Sequence, residues 1–333
     1  MRPFWAFAAW ALSLGASPPP QVDEVLILGD TLPPKLSQFR LLFGPYGRTP
    51  NIGVTPYTLG TPLLSDYVEK FRFAYVPRGQ KARWTGEGLI DFPVGSVLVK
   101  SFGYPADMRA PDKDVRILET RLLMRRASGW VALPYVWNAD GSDADLKRAG
   151  TRIDVKWTHN DGTERAISYA VPNVNQCKGC HDRGGAITLI GPKGWNLSPD
   201  FLASGLVEGV PAAWPRMPRW DDTSASIAER ARAYLDVNCG HCHSRDGPAN
   251  TSGLWLDRDQ PAGPNLGLNK RPTAAGRGSG DFDFAIDPGH PERSILIHRM
   301  SSLDPGVAMP ELGRATVHEE GVALLSDWIR TLK

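Results

Sequence analysis

The sequence predicts an α+β chain of several domains: an all-β sandwich or jelly-roll-like domain, followed by a small all-α domain. Three observations predict it. In "TRIDVKWT", Ile153, Val155 and Trp157 alternate with Arg152, Asp154, Lys156 and Thr158, and Asn160-Asp161-Gly162 turns this run into a second one over residues 165–171. That is a half-buried hairpin. After residue 223 the apolar spacing becomes helical, behind two capping-box signatures, Ser226 with Glu229 and Thr316 with Glu319. Finally, 333 residues allow two domains of ordinary size, each with its own core.

Residues 1–17 read as a secretory signal peptide: Arg2, an apolar run over residues 4–16, then small residues ahead of a proline stretch. As a helix the run would reach about 20 Å, short of the roughly 30 Å of a bilayer's hydrocarbon core, which favours cleavage near Ala16 or Ser17. The first cysteine is Cys177, so lipid attachment at a processed N-terminal cysteine is excluded. The expectation is a periplasmic protein with no membrane span after signal cleavage.

Residues 18–83 are rich in Pro and Gly and predict a wrapping segment whose elements the pattern does not place. Residues 84–171 form the β domain. There "WVALPYVW" puts Val131, Leu133, Tyr135 and Trp137 on one face, and "GSVLVKSF" and "VRILETRLLM" supply further strands. Residues 172–222 form a segment with a cysteine motif of its own, and residues 223–333 the α domain. In the latter, Ile227, Ala231, Tyr234 and Leu235 share a helical face, as do Val322, Leu325, Trp328, Ile329 and Leu332, with a shorter helix in "HPERSILIHRM" between them.

Hydrophobic residues at 41%, charged residues at 22% and a formal charge of +2 are those of an ordinary globular protein, without the basic footprint of a nucleic-acid partner. The chemistry sits in the cysteines. The chain has four, and all belong to a repeated C-x-x-C-H: Cys177, Cys180 and His181, then Cys239, Cys242 and His243.

Covalent haem attachment needs two thiols that reach the porphyrin vinyl groups and an imidazole that reaches the iron from the same short turn; C-x-x-C-H supplies both. A dithiol redox pair needs no adjacent His and belongs in a βαβ setting that this sequence lacks. A Cys₄ zinc ribbon spaces its knuckles about 15–20 residues apart; here 58 residues separate Cys180 from Cys239. A disulfide within C-x-x-C is strained and adds little to a scaffold. The pattern therefore predicts two haem c groups, each carrying iron.

A sixth ligand for the second haem is at hand in Met309, which stands in "DPGVAMPELG", 66 residues after His243 and before the stiffening Pro310. A thioether there would raise the reduction potential relative to a second His. Met300 falls on the apolar side of the short helix and reads as core. For the first haem the candidates are Met217, in "PRMPRW" 36 residues after His181, a histidine such as His290 or His298, or no protein ligand. Asn173, Asn175 and Pro172 do not read as a good helix ahead of Cys177.

Residues 223–333 resemble a class I cytochrome c domain in the helix that ends at Cys239-Gly240-His241-Cys242-His243, in the Met309-Pro310 loop and in the closing helix with Trp328. That resemblance implies His243 and Met309 as the two axial ligands, and Tyr234 and Trp328 as aromatics that lock the first and last helices where they cross. Residues 30–333 as a whole, through "TPLLSDYVEKFRFAYVPRG", "GLIDFPVGSVLVKSFGYP", "PNVNQCKGCH", "RARAYLDVNCGHCH" and "MPELGRATVHEEGVALLSDWI", resemble an uncharacterised family of exported dihaem c-type cytochromes. Its members are mostly proteobacterial and are often encoded beside a parallel β-helix repeat protein. The resemblance brings no reaction with it.

Among the remaining features, "AAGRGSGD" reads as a tight loop near the second haem, with Arg277 a candidate for a propionate, rather than as a nucleotide fingerprint. His159 reads as a solvated loop residue and His241 as facing outward. The chain is expected to carry electrons between redox protein partners, from a dehydrogenase or quinol oxidase to an acceptor. The alternative is a dihaem oxidoreductase, peroxidase-like, with an open first haem.

Overall fold

The computed structural model describes residues 21–86 and 88–333, so the leader assigned to residues 1–17 lies outside them. The architecture is mixed, with a mostly β N-terminal region and six α-helices among the described residues. None of these helices is long and apolar enough to cross a membrane.

Strands β1 (Val54–Pro56), β2 (Glu69–Tyr75), β3 (Val97–Tyr104), β4 (Arg116–Arg126), β5 (Gly129–Trp137) and β6 (Ala144–Leu146) form one antiparallel sheet in the order β6-β5-β4-β3-β2-β1. Side chains alternate faces along each strand, and the register aligns Phe73, Val99, Leu122 and Leu133 in one buried cross-strand row. Val22, Ile27, Leu36, Phe39 and Leu41 cover that face. Each such residue contributes about 1.5–3 kcal/mol relative to an exposed position.

Residues 21–83 cover one face of the sheet and also enter it, because β1 and β2 precede residue 84. The opposite face carries Ala74, Leu98 and Leu123 under Phe92, Leu189, Leu197 and Phe201, with a small three-stranded sheet (Ala82–Trp84, Ile90–Asp91, Val207–Glu208) beside them. A second sheet comparable to the first, as a full sandwich would have, is replaced by this small sheet and by coil. The predicted hairpin is present as β7 (Thr151–Thr158) and β8 (Glu164–Val171), which pack Val155, Trp157, Tyr169 and Val171 against Phe102, Tyr104 and Leu118.

Helix α1 is Val174–His181. Beyond it, α2 (Ile227–Asn238), α3 (Ile295–Ser301) and α4 (Glu319–Thr331) gather around Ala231, Tyr234, Leu235, Met300, Leu325, Trp328 and Ile329. Met300 is core, as its spacing predicts. Where α2 meets α4, a Cβ on Gly321 would collide with Tyr234 Oη and His318 Nδ1, so glycine permits the close approach. Tyr234 and Trp328 are buried in the same cluster, yet the ring that stacks on Tyr234 is His318, at 5.5 Å.

The capping box on α2 forms as predicted: Ser226 Oγ accepts from Glu229 N–H at 3.3 Å, and Glu229 accepts from Ser226 N–H at 3.2 Å. The one predicted at Thr316 does not. Asp66 accepts from the N–H groups of Ala315 and Thr316, which holds that stretch outside the helix, and α4 begins at Glu319. His159, expected to be solvated, is 3% exposed. It lies edge-on to Tyr67, its Nδ1 accepts from Trp157 Nε1–H at 3.4 Å, and Glu320 of α4 stands 4.0 Å from its Nε2. Both corrections arise at one seam, where residues 66–67 and the hairpin meet α4.

Candidate functional site

The first motif is the last turn and a half of α1. Asn173 caps it, accepting from Gln176 N–H at 2.8 Å while Gln176 accepts from Asn173 N–H at 2.9 Å. The residues before Cys177 are therefore a competent helix start, contrary to the sequence reading, because Asn serves as well as Ser at an N-cap. After His181 a two-residue turn at Gly184 and Gly185, with φ of 60° and 86°, reverses the chain. The turn returns Thr188 to His181: the Thr188 carbonyl stands 2.7 Å from His181 Nδ1, and Thr188 N–H donates to the His181 carbonyl at 2.7 Å. Nδ1 thus carries the proton and Nε2 keeps the free lone pair.

The second motif continues directly from α2, with His243 N–H donating to the Cys239 carbonyl at 2.9 Å. Ser252 Oγ donates to the Ala249 carbonyl at 2.6 Å, leaving its lone pairs for His243 Nδ1–H at 3.2 Å and Leu254 N–H at 3.2 Å. His243 is therefore held as His181 is, with Nε2 free. Burial pushes both imidazoles down to about 4, so both are neutral at ordinary pH, the state in which a ring nitrogen can ligate.

All four cysteines are free thiols. Burial raises Cys177 and Cys180 and pushes Cys239 and Cys242 up to about 12. A dithiol redox pair needs a depressed thiol, so the surroundings speak against that chemistry. Among the described residues no three His, Cys, Asp or Glu side chains gather as a metal-binding group. A porphyrin asks for no such group, since it brings four nitrogen ligands of its own.

The two motifs are neighbours. Gly184 N–H donates to the Asp246 carbonyl at 3.3 Å, and a cavity of about 260 Å³ is lined by Cys180 from the first motif and by Gly240 and His241 from the second. His241 faces this cavity rather than the solvent, and its Nδ1 is buried without a partner, as are the Nε1 atoms of Trp195 and Trp255 on the same wall. Unpaired buried donors are rare and call for an explanation. With paired thiols, anchored imidazoles and unpaired donors, the residues fit haem c at both motifs.

Met309 is partly exposed and sits in a braced loop: its N–H donates to the Arg299 carbonyl at 3.1 Å, and Arg299 Nε–H donates to the Val307 carbonyl at 2.8 Å. The charge of Arg299 acts on His243, and that of Glu311 on both Cys180 and Cys242, which places the loop beside the motifs. Met217 is buried against Ala233 and Val237 of α2, with Leu63 and Trp195 around it. Its surroundings are those of a packing residue. His290 is exposed beside Glu292, and His298 lies edge-on to Phe282. Arg277 pairs with Asp304 at 2.8 Å.

The sequence reading missed a row of cations on the sheet. Arg72 of β2 pairs in register with Lys100 of β3, and Lys100 with Arg121 of β4, so the three stand side by side on the face that meets Leu189. Strict alternation in "EKFRFAY" was the available signal: it puts Lys70 and Arg72 on one face, opposite Phe71, Phe73 and Tyr75. Comparison of the chain with family models, with curated proteins and with solved structures returned no match.

Proposed function

We propose that this protein is a periplasmic dihaem c-type cytochrome that passes electrons between redox protein partners. The observation that carries the proposal is the pair of adjacent C-x-x-C-H turns, each with its imidazole anchored at Nδ1 and open at Nε2. Cys177 and Cys180 would hold one haem and Cys239 and Cys242 the other, with His181 and His243 toward the irons; when bound, the haems supply one-electron redox chemistry. In this reading residues 223–333 are a class I cytochrome c-like domain in which Met309 would join His243 in holding the second haem, and the β region is a sandwich-like scaffold.

The protein's own part is to fix the imidazoles, exclude water and set the distance between the motifs. Thr188 and Ser252 orient the rings, and the contact of Gly184 with Asp246 keeps the motifs together. The test is the ratio of covalent haem to protein after production in an exporting host with haem-attachment machinery. The ratio should be two, and should fall to one when either cysteine pair is replaced by Ser; a ratio of zero would sink the proposal.

One observation favours the second reading, a dihaem oxidoreductase with an open first haem. Met217, the nearest methionine after His181 in sequence, is packed into a core cluster. Binding of cyanide or azide to one haem of two in the ferric protein would support that reading.

A further inference from the structure

The face of the sheet that meets the first motif is built with an excess of positive charge. Arg72, Lys100 and Arg121 are direct cross-strand neighbours, and Lys70 adds a fourth cation one step along β2 on the same face. Like charges directly opposite one another across strands are destabilising. The anions that face them are few. Glu119 accepts from Arg121 Nε–H at 2.9 Å and Nη2–H at 2.5 Å and is then engaged by Tyr169 as well. Asp66 acts on Lys70, and Glu69 on Lys70 and Arg72, from outside hydrogen-bonding distance.

Lys100 Nζ has no hydrogen-bond or ion-pair partner among the described residues; it lies 5.1 Å from the centre of the Phe102 ring, with Arg121 4.2 Å from the same ring. Arg72 is 8% exposed, and its Nη2 is buried without a partner. Arg72 Nη1–H donates to the Lys70 carbonyl at 3.2 Å, so the row presents one buried unpartnered nitrogen, Arg72 Nη2, beside the half-buried ammonium of Lys100. A buried cation left unpaired costs several kcal/mol in general. Such a row is stable when an anion completes it.

The row lies beside the first motif, because α1 packs on β5, the strand next to β4. Lys100 and Arg121 both act on Cys180 and His181, and Arg121 acts on Cys177 as well. We propose that Arg72, Lys100 and Arg121 form a carboxylate- or oxyanion-binding floor for the first centre, and that its occupants are the propionate carboxylates of the haem carried by Cys177 and Cys180. The inference rests on the dihaem reading above. A propionate is the source the geometry favours, because a porphyrin held at Cys177 and Cys180 is already within reach of these charges, and because Arg72 is closed to solvent. A free oxyanion shares the chemistry and is separated by the test.

The test uses the full-length protein loaded with haem, comparing wild type with Lys100→Gln and Lys100→Arg by redox titration after the haem-to-protein ratio is measured. Removing a cation from a propionate stabilises the ferric state. One of the two midpoint potentials should therefore shift negative in Lys100→Gln, the other should stay, and Lys100→Arg should restore the first. Titration of the wild type with sodium sulfate separates the sources: no change in either haem assigns the floor to propionates, whereas a shift of one haem that is lost in Lys100→Gln assigns it to a free oxyanion. With two haems per chain, potentials unmoved in Lys100→Gln together with no response to sulfate, or both potentials moving equally, would overturn the inference alone. Absence of covalent haem from the wild type would overturn the dihaem reading and this inference together.

Discussion

Besides the Gly184–Asp246 contact, a buried ion pair links the segments that carry the two motifs, and Lys193→Met tests it. Lys193, in the loop after the first motif, donates to both carboxylate oxygens of Asp236 at 2.8 Å. Asp236 lies three residues before Cys239, its side chain is fully buried, and that of Lys193 is 15% exposed. Arg258 N–H donates to the same carboxylate at 2.9 Å. Removing the ammonium leaves a buried carboxylate with one backbone donor, so the expected loss is about 3–5 kcal/mol, the range for breaking a buried pair. Pairing the change with Asp236→Asn removes the stranded charge and keeps an acceptor for Arg258, so the double variant should regain more than half of that loss. The assay is denaturant unfolding of the haem-loaded protein, followed by far-ultraviolet circular dichroism. A loss below about 1 kcal/mol in Lys193→Met, the level of an exposed pair, would refute the reasoning.

Asp66→Ala should remove the acceptor of the Ala315 and Thr316 N–H groups at the seam between the sheet and α4, at about 0.5–1.5 kcal/mol for each hydrogen bond lost at this partly exposed site, read in the same unfolding assay. Ser226→Ala should cost about 1 kcal/mol by removing the cap of α2, measured as a lowered thermal midpoint, while Ser226→Asp should be close to neutral. Burial pushes His318 down to about 4, below the ordinary value of about 6.5. Its contribution to stability is therefore full above about pH 6.5 and is lost as pH falls toward 4. An unfolding series over pH 4–8 should show that loss, reduced in His318→Gln. Ser252→Ala should leave His243 Nδ1 without its acceptor and make the ring a weaker donor toward metal, raising one midpoint potential and leaving the other in place.

Much of the local structure was legible because its causes are local. The hairpin of β7 and β8 follows from strict alternation and an Asn-Asp-Gly turn, and the start of α2 from Ser226 and Glu229, three residues apart. The spacing of Met300 predicted its burial, and the second C-x-x-C-H follows the helix its pattern predicts, whereas the first lies on a helix capped by Asn173 that the pattern did not predict. What was hidden depends on partners far along the chain. Thr316 with Glu319 has the same signature as the cap of α2, but Asp66, some 250 residues earlier, takes its backbone donors. His159 is buried by Tyr67 and Glu320, neither of which a local window contains. Strand β2 was obscured by the Pro- and Gly-rich sequence around it. With it went the cation row, which exists only once β2, β3 and β4 are in register.

The most direct test of the central claim is an electron paramagnetic resonance spectrum of the ferric protein, recorded beside its haem-to-protein ratio. Two low-spin signals at two haems per chain are the result the relay account predicts, with Met309→Ala converting one of them to high spin. A high-spin signal from one haem of the unmodified protein would contradict the relay and make the first centre a reaction site.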